Sequence, residues 1–220
     1  MDDKELKRIR IAKRVAKEFI DGSVVNLGIG LPTLVANYIP EDRSILFHSE
    51  NGFIGLGPEP EKGKEDPNIV NAGGKPVTIV KGGCFFDSAM SFAIIRGGHL
   101  DYTVLGALEV DEQGNLANYM IPGKMVPGMG GAMDLVAGAK TVIIAMEHTN
   151  KNGSPKILER CKLPLTAKEE VDIIITELAF IRVTKKGLVL EEIADDTTVD
   201  EVVKNTGARL IIEGNIRKFL

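Results

Sequence analysis

The most suggestive polar cluster in the chain is built around a glutamate. Glu50 follows the apolar run Ile45-Leu46-Phe47-His48 and stands between Ser49 and Asn51, with Gly52 next. This puts a carboxylate at the carboxyl end of a strand, where open α/β sheets hold their ligands. The same Ser-Glu-Asn-Gly also makes a good turn, in which the glutamate is simply solvated. His48 reads as a strand histidine satisfied in the core rather than as a general base, because nothing beside it suggests acid–base pairing. Gly28-Ile29-Gly30 follows another short strand. It lacks the third glycine of a dinucleotide fingerprint and the Gly-Lys-Ser/Thr of a P-loop, so it reads more readily as a tight strand-to-helix turn lining a crevice than as a phosphate cradle. His48, His99 and His148 lie far apart, the two cysteines form no CxxC, and HExxH is absent, so no metal site is expected. Without G-x-S-x-G there is no nucleophile elbow, and Cys84, between Gly83 and Phe85, is expected to be a small core residue.

Composition limits what such a site can belong to. The chain has 220 residues with 27 Lys plus Arg against 31 Asp plus Glu, a net charge of −4. That balance excludes the basic footprint of a dedicated nucleic-acid binder. At 44% hydrophobic and 26% charged, the chain is globular rather than disordered. Its length favours one large domain over residues 1–220. Cys84 and Cys161 cannot build a disulfide framework, which suits a reducing cytoplasm. The apolar runs are far shorter than the ~20 residues of a membrane span. The basic, amphipathic start is not read as a transit peptide, because Asp2, Asp3, Glu5 and Glu18 break the acid-poor composition those require. Glycine, at 24 residues, is over-represented and implies several close backbone approaches or left-handed turns.

The elements that must position the cluster follow from periodicity. Leu6, Ile9, Ala12, Ala16, Phe19 and Ile20 share a face and predict a helix from about Lys4 to Ile20, with Lys7, Arg10, Lys13, Arg14 and Lys17 largely elsewhere. Val24 to Leu27 is a strand, and Pro32 opens a second helix through Leu34, Val35 and Tyr38. The stretch from Gly55 to Pro76 reads as a long loop. Val77 to Val80 resumes a strand and Phe85 to Ile95 is a helix. Tyr102 to Val110 is a strand, and Asp111 to Asn115 turns into another. A glycine-dense segment spans Ile121 to Asp134. Strands at Thr141 to Met146 and Val171 to Glu177, a hairpin around Lys185-Lys186-Gly187, and a helix from Val199 to Asn205 ahead of Leu210-Ile211-Ile212 complete the pattern. Apolar strands interleaved with helices predict an α/β fold, a mostly parallel open sheet with helices on both faces.

Two long segments carry a resemblance. Leu46-Phe47-His48-Ser49-Glu50-Asn51-Gly52-Phe53-Ile54-Gly55 resembles the glutamate motif of the family I CoA-transferases, in the beta subunit or its fused equivalent. Ile121 to Asp134, with Gly128-Met129-Gly130-Gly131-Ala132-Met133-Asp134, resembles the second hallmark of the same group. Gly28 to Thr33, Met146-Glu147-His148 and Lys162-Leu163-Pro164-Leu165-Thr166 are further similar pieces. The resemblance implies a CoA-transferase-like domain and transfer of CoA from an acyl-CoA to a short acid, with a 3-oxoacid such as acetoacetate among the substrates. It also implies that Glu50 carries the CoA as a glutamyl thioester. Gly131, with Gly130, is implied as the backbone oxyanion donor, and Asn51, Gly28 and Gly30 as substrate-binding residues. No cofactor is implied beyond CoA itself, which enters as acyl-CoA. The family's partner half is missing, so an alpha-type subunit is expected, in a heterotetramer or larger symmetric assembly. The Gly55 to Pro76 loop is expected either to help enclose the pantetheine arm or to be a plain surface excursion. Related α/β folds also house CoA-ester hydrolases and sugar-phosphate isomerases, so a hydrolase or a non-catalytic sensing module is the competing expectation.

Overall fold

The computed structural model describes residues 2–124 and 128–220; the Met125-Val126-Pro127 part of the glycine-dense segment lies outside the described residues. The chain begins with α1 (Asp3–Ala16), β1 (Val24–Leu27), a 3-10 helix at Pro32–Tyr38, β2 (Leu46–Ser49), β3 (Phe53–Leu56), β4 (Ile79–Phe85) and α2 (Ser88–Arg96). It continues through β5 (Tyr102–Leu105), β6 (Glu109–Asp111), β7 (Leu116–Ala117), α3 (Ala132–Gly138), β8 (Thr141–Ala145), β9 (Ile157–Leu158) and β10 (Ile173–Ile175). The last elements are β11 (Ala179–Thr184), β12 (Gly187–Ala194), α4 (Val199–Asn205), β13 (Leu210–Ile211) and β14 (Arg217–Phe219).

The expected α/β fold is present. β2-β1-β5-β8-β10 forms the parallel centre of an eleven-stranded sheet. Antiparallel wings extend it, β3 and β4 beyond β2, and β11 and β12 beyond β10. β7-β6-β9 makes a separate small sheet. Strand parity sorts the core into two layers. Val25, Phe47, Val104 and Ile143 pack with Ile11, Val15 and Phe19 on the α1 side. Leu105, Val142, Ile144 and Ile174 pack with Ile95 of α2, Leu135 and Val136 of α3, and Val202 of α4 on the other. The chain leaves β1 for β2 on one side and returns to β5 on the other, so the strand order reverses between β1 and β5. Beyond the strand ends at such a switch point is where open α/β sheets place their ligands.

Several local expectations are adjusted by packing. Helix α1 stops at Ala16; Leu6 and Ile20 are exposed, while Arg14 is buried. Arg14 belongs inside because its guanidinium is satisfied there, by Glu192 at 2.7 Å and Glu18 at 2.6 Å, over the ring of Phe180. The turn opened by Pro32 is a 3-10 helix rather than an α-helix. Phe85 belongs to β4, paired with Phe53, and the following helix starts only at Ser88, where the Asp87 carboxylate caps the Met90 N–H. Cys84 is exposed on this outer strand, not in the core. The single strand expected over Tyr102 to Val110 is two, broken at Gly106, whose carbonyl accepts from Asn118 Nδ2. Among the described residues no helix is long and apolar enough to cross a membrane.

Candidate active site

Glu50 sits in the β2–β3 turn at the carboxyl end of a parallel strand, one strand from the switch point. The tight turn depends on Gly52, which holds φ +130 and lies so close to Phe86 O that any Cβ would overlap it. The Phe86 N–H in turn donates to Gly52 O at 2.9 Å. Gly52→Ala is therefore expected to cost about 2–4 kcal/mol through left-handed strain and backbone overlap, read as a lower urea midpoint at unchanged slope.

The glutamate side chain turns toward the face covered by α2 and α3. Asn26 of β1 pairs in register with His48 of β2, so the two side chains share that face, opposite Phe47 and Val25. Asn26 Nδ2 lies 3.4 Å from Glu50 Oε2, 3.2 Å from His48 O and 3.2 Å from His48 Nδ1. His48 Nε2 meets Ser91 Oγ of α2 at 3.1 Å, and the His48 ring stacks on Phe86 with centroids 6.0 Å apart. The imidazole is therefore a satisfied strand histidine, and burial pushes its pKa down to about 4. At neutral pH it carries no charge.

Gly131 reaches the same spot from the far end of the sequence. It precedes α3, and a Cβ built on it would stand 3.5 Å from Glu50 Cγ and 3.3 Å from Phe92 Cζ. Its own φ of −84 suits any residue, so the glycine here serves space rather than backbone angle. The neighbouring Gly130 has φ +55 with open surroundings, a left-handed position that aims the chain into α3. Arg96 Nε donates to Asp134 Oδ1 at 2.6 Å and ties α2 to α3.

The remaining sequence-derived residues are placed differently. Gly28 packs directly against β5: its N–H donates to Val104 O at 2.8 Å, and a Cβ would lie 3.0 Å from both Val104 O and Leu105 Cδ2. Gly30 holds φ +95, and a Cβ built on it would meet nothing within 4 Å. The pair thus forms the strand-to-helix turn at the switch point. Asn51 accepts from Ser49 Oγ at 2.7 Å and donates to Val70 O at 2.8 Å. Together with Ala72 N–H on Ser49 Oγ at 3.2 Å, these bonds fasten the glutamate turn to the loop after β3. That loop walls a cavity of about 480 Å³ on the α1 side, lined by Leu27, Leu34, Phe47, Pro58, Ala72 and Val77. His48 and Ser49 border this cavity, whereas Glu50, Asn26 and Gly131 do not.

Asn26, Ser91 and Phe92 are the site neighbours that sequence reasoning missed. One signal was available for Asn26, an amide interrupting the apolar strand Val-Val-Asn-Leu, since a buried polar residue needs partners. For metals, no group of three or more His, Cys, Asp or Glu side chains that could hold an ion occurs among the described residues.

What this arrangement can do chemically is limited and specific. A carboxylate is held at a strand end, a primary amide donates toward one of its oxygens, and a glycine leaves open backbone beside its methylenes. Such a set suits attack by the carboxylate on a carbonyl carbon with backbone donors nearby.

Comparison with known proteins agrees with the resemblance of the two motifs. The model of the family described as Coenzyme A transferase matches residues 8–205. The acetate CoA-transferase subunit beta of Escherichia coli is 56% identical over 207 residues, 94% of each chain. The mitochondrial succinyl-CoA:3-ketoacid coenzyme A transferase 2A of Rattus norvegicus is 52% identical over 217 residues, which are 98% of this chain but 42% of that one. Among solved structures, the apoenzyme of an acyl-CoA transferase from Escherichia coli O157:H7 superposes with a TM-score of 0.77 at 22% identity, over 97% of this chain and 43% of that chain, and shares the fold. With nearly the whole length matched by both the family model and relatives at about half identity, the chain belongs to the coenzyme A transferase family.

Proposed function

We propose that this chain is the nucleophile-bearing, beta-type subunit of a cytoplasmic CoA-transferase acting on short acids, a 3-oxoacid such as acetoacetate among them. The observation that carries the reading is the meeting of Glu50 with Gly131, whose Cβ position is 3.5 Å from the glutamate methylene. Moving CoA between acids exchanges one thioester for another, so a carboxylate nucleophile preserves the activation. Glu50 attacks the acyl-CoA carbonyl; the C–S bond breaks, giving a mixed anhydride and CoA thiolate. The thiolate then attacks the glutamyl carbonyl, the anhydride C–O bond breaks, and the first acid leaves as its carboxylate. The second acid attacks glutamyl-CoA and the steps run in reverse. Each addition builds an oxyanion, and the role of receiving it is assigned to the backbone N–H of Gly131 with that of Gly130, an effect of about 3–4 kcal/mol for one donor. Asn51, Gly28 and Gly30 are assigned to substrate binding; a contact from Asn51 uses the amide hydrogen left free by Val70 O. No tightly bound cofactor is invoked, and CoA enters as the acyl-CoA substrate.

The active site is completed by an alpha-type subunit in a symmetric assembly, such as a heterotetramer. Support comes from the surface beside the turn: Phe85 is 61% exposed, Met90 55% and Met129 38%, large apolar side chains on segments that flank Glu50. Water reaching an anhydride wastes the transfer, so such a site needs a cover. The test is to purify the chain with and without an alpha-type partner. CoA transfer from acetoacetyl-CoA to acetate is then followed. The expected result is transfer only by the pair. Robust transfer by the single chain overturns the two-subunit reading, and CoA release by the pair that needs no acceptor acid overturns transfer in favour of hydrolysis.

A further inference from the structure

We propose that His48 is a positioning residue for the nucleophile: its Nδ1 accepts from Asn26 and its Nε2–H donates to Ser91, which holds the Asn26 amide against the Glu50 carboxylate. This rests on the reading of Glu50 as the nucleophile. Asn26 is wholly buried, and its Oδ1 has no hydrogen-bond partner among the described residues. The direction of the amide is therefore set by what Nδ2 donates to. Three acceptors surround that nitrogen, His48 Nδ1 and His48 O at 3.2 Å and Glu50 Oε2 at 3.4 Å. An NH₂ group donates only, so Nδ1 must be the unprotonated nitrogen of the ring and Nε2 carries the hydrogen toward Ser91 Oγ at 3.1 Å.

The ring is fixed on its other sides too. It stacks on Phe86, 16° from parallel, and Phe86 is bonded through its N–H to Gly52 in the glutamate turn. Ser91 belongs to α2, and the next residue, Phe92, borders Gly131. His48 thus links the strand that leads into Glu50, the amide that touches its carboxylate and the helix that borders Gly131. Burial keeps the ring neutral at working pH, so it acts as a fixed acceptor–donor pair rather than as a proton carrier. Without the ring acceptor, Asn26 loses one of the three groups that orient it, and its bond to Glu50 is the longest of the set.

The test compares His48→Leu, His48→Gln and Ser91→Ala in the enzyme assembled with its alpha-type subunit. Glutamine offers an acceptor oxygen and a donor nitrogen on one side chain, whereas leucine offers neither. Each variant is mixed with acetoacetyl-CoA, quenched at set times with borohydride, which reduces a glutamyl thioester to the alcohol, and mapped by mass spectrometry. Steady-state kcat and KM and the thermal midpoint are measured alongside. His48→Leu is expected to slow both Glu50 adduct formation and kcat by about tenfold or more, with KM for acyl-CoA within about twofold. His48→Gln is expected to recover to within about threefold, and Ser91→Ala to fall between. Adduct formation at the parental rate in a folded His48→Leu overturns the proposal, as does a folded His48→Gln as slow as His48→Leu. Should His48→Leu fail to fold, Ser91→Ala decides, and an unchanged kcat there overturns it. Absence of a Glu50 adduct in the unsubstituted enzyme is a separate result: it overturns the nucleophile assignment itself, and the positioning role with it.

Discussion

Glu50→Ala, assembled with its partner subunit, is expected to lose CoA transfer by about 10⁴-fold or more, because no neighbouring side chain can take over a covalent step. The Glu50 methylene faces Gly131, and its carboxylate meets only the Asn26 amide at 3.4 Å among the described residues. Stability should therefore fall by no more than about 1 kcal/mol. Glu50→Gln is the sharper variant, since it keeps the length, the volume and an acceptor for Asn26 while removing the anionic nucleophile. Its transfer rate should be as low as that of alanine. Incubation with acyl-CoA followed by borohydride should leave the parental enzyme modified at this one side chain and both variants unmodified. Full activity in either variant, or modification at another residue, defeats the assignment.

Gly131→Val is expected to lower kcat by about 10²- to 10³-fold, the range seen when one oxyanion donor is removed, with a much smaller effect on stability. The reason is local crowding. The φ of −84 at this position accepts valine without left-handed strain. The Cβ, however, stands 3.3 Å from Phe92 Cζ and 3.5 Å from Glu50 Cγ, and the two γ-methyl groups have to displace one or the other. Gly131→Ala adds only the Cβ, so its loss should be clearly smaller, and the ratio of the two variants reads the crowding directly. A folded Gly131→Val that turns over at the parental rate removes the backbone of Gly131 from the mechanism.

Local sequence determined much of this protein. The strand Val24 to Leu27, the helix from Val199 to Asn205 and the hairpin at Lys185-Lys186-Gly187 are where periodicity and turn chemistry put them, while the strand expected over Ile45 to His48 runs one residue later, from Leu46 to Ser49. These signals act between residues a few positions apart. The same holds for Glu50 at a strand end, because the apolar run and the Ser-Glu-Asn-Gly turn are contiguous. Packing moved what lay at the margins. Phe85 joined β4 because Phe53 was available to pair with it. Arg14 left the polar face of α1 because Glu18 and Glu192 were both in reach.

The surroundings of the carboxylate were decided by tertiary structure alone. Asn26 reaches Glu50 only because β1 and β2 run parallel in the register that sets Asn26 beside His48. A shift of one residue in that register turns the amide to the opposite face of the sheet. Gly131 reaches Glu50 because α3 packs beside α2, with Phe92 between. Ser91 and Phe92 look like ordinary helix residues until the helix is placed on the sheet. Periodicity along a chain tells which face of an element is apolar, but which residue on another element that face meets is fixed by register and layer packing, and these are properties of the whole fold.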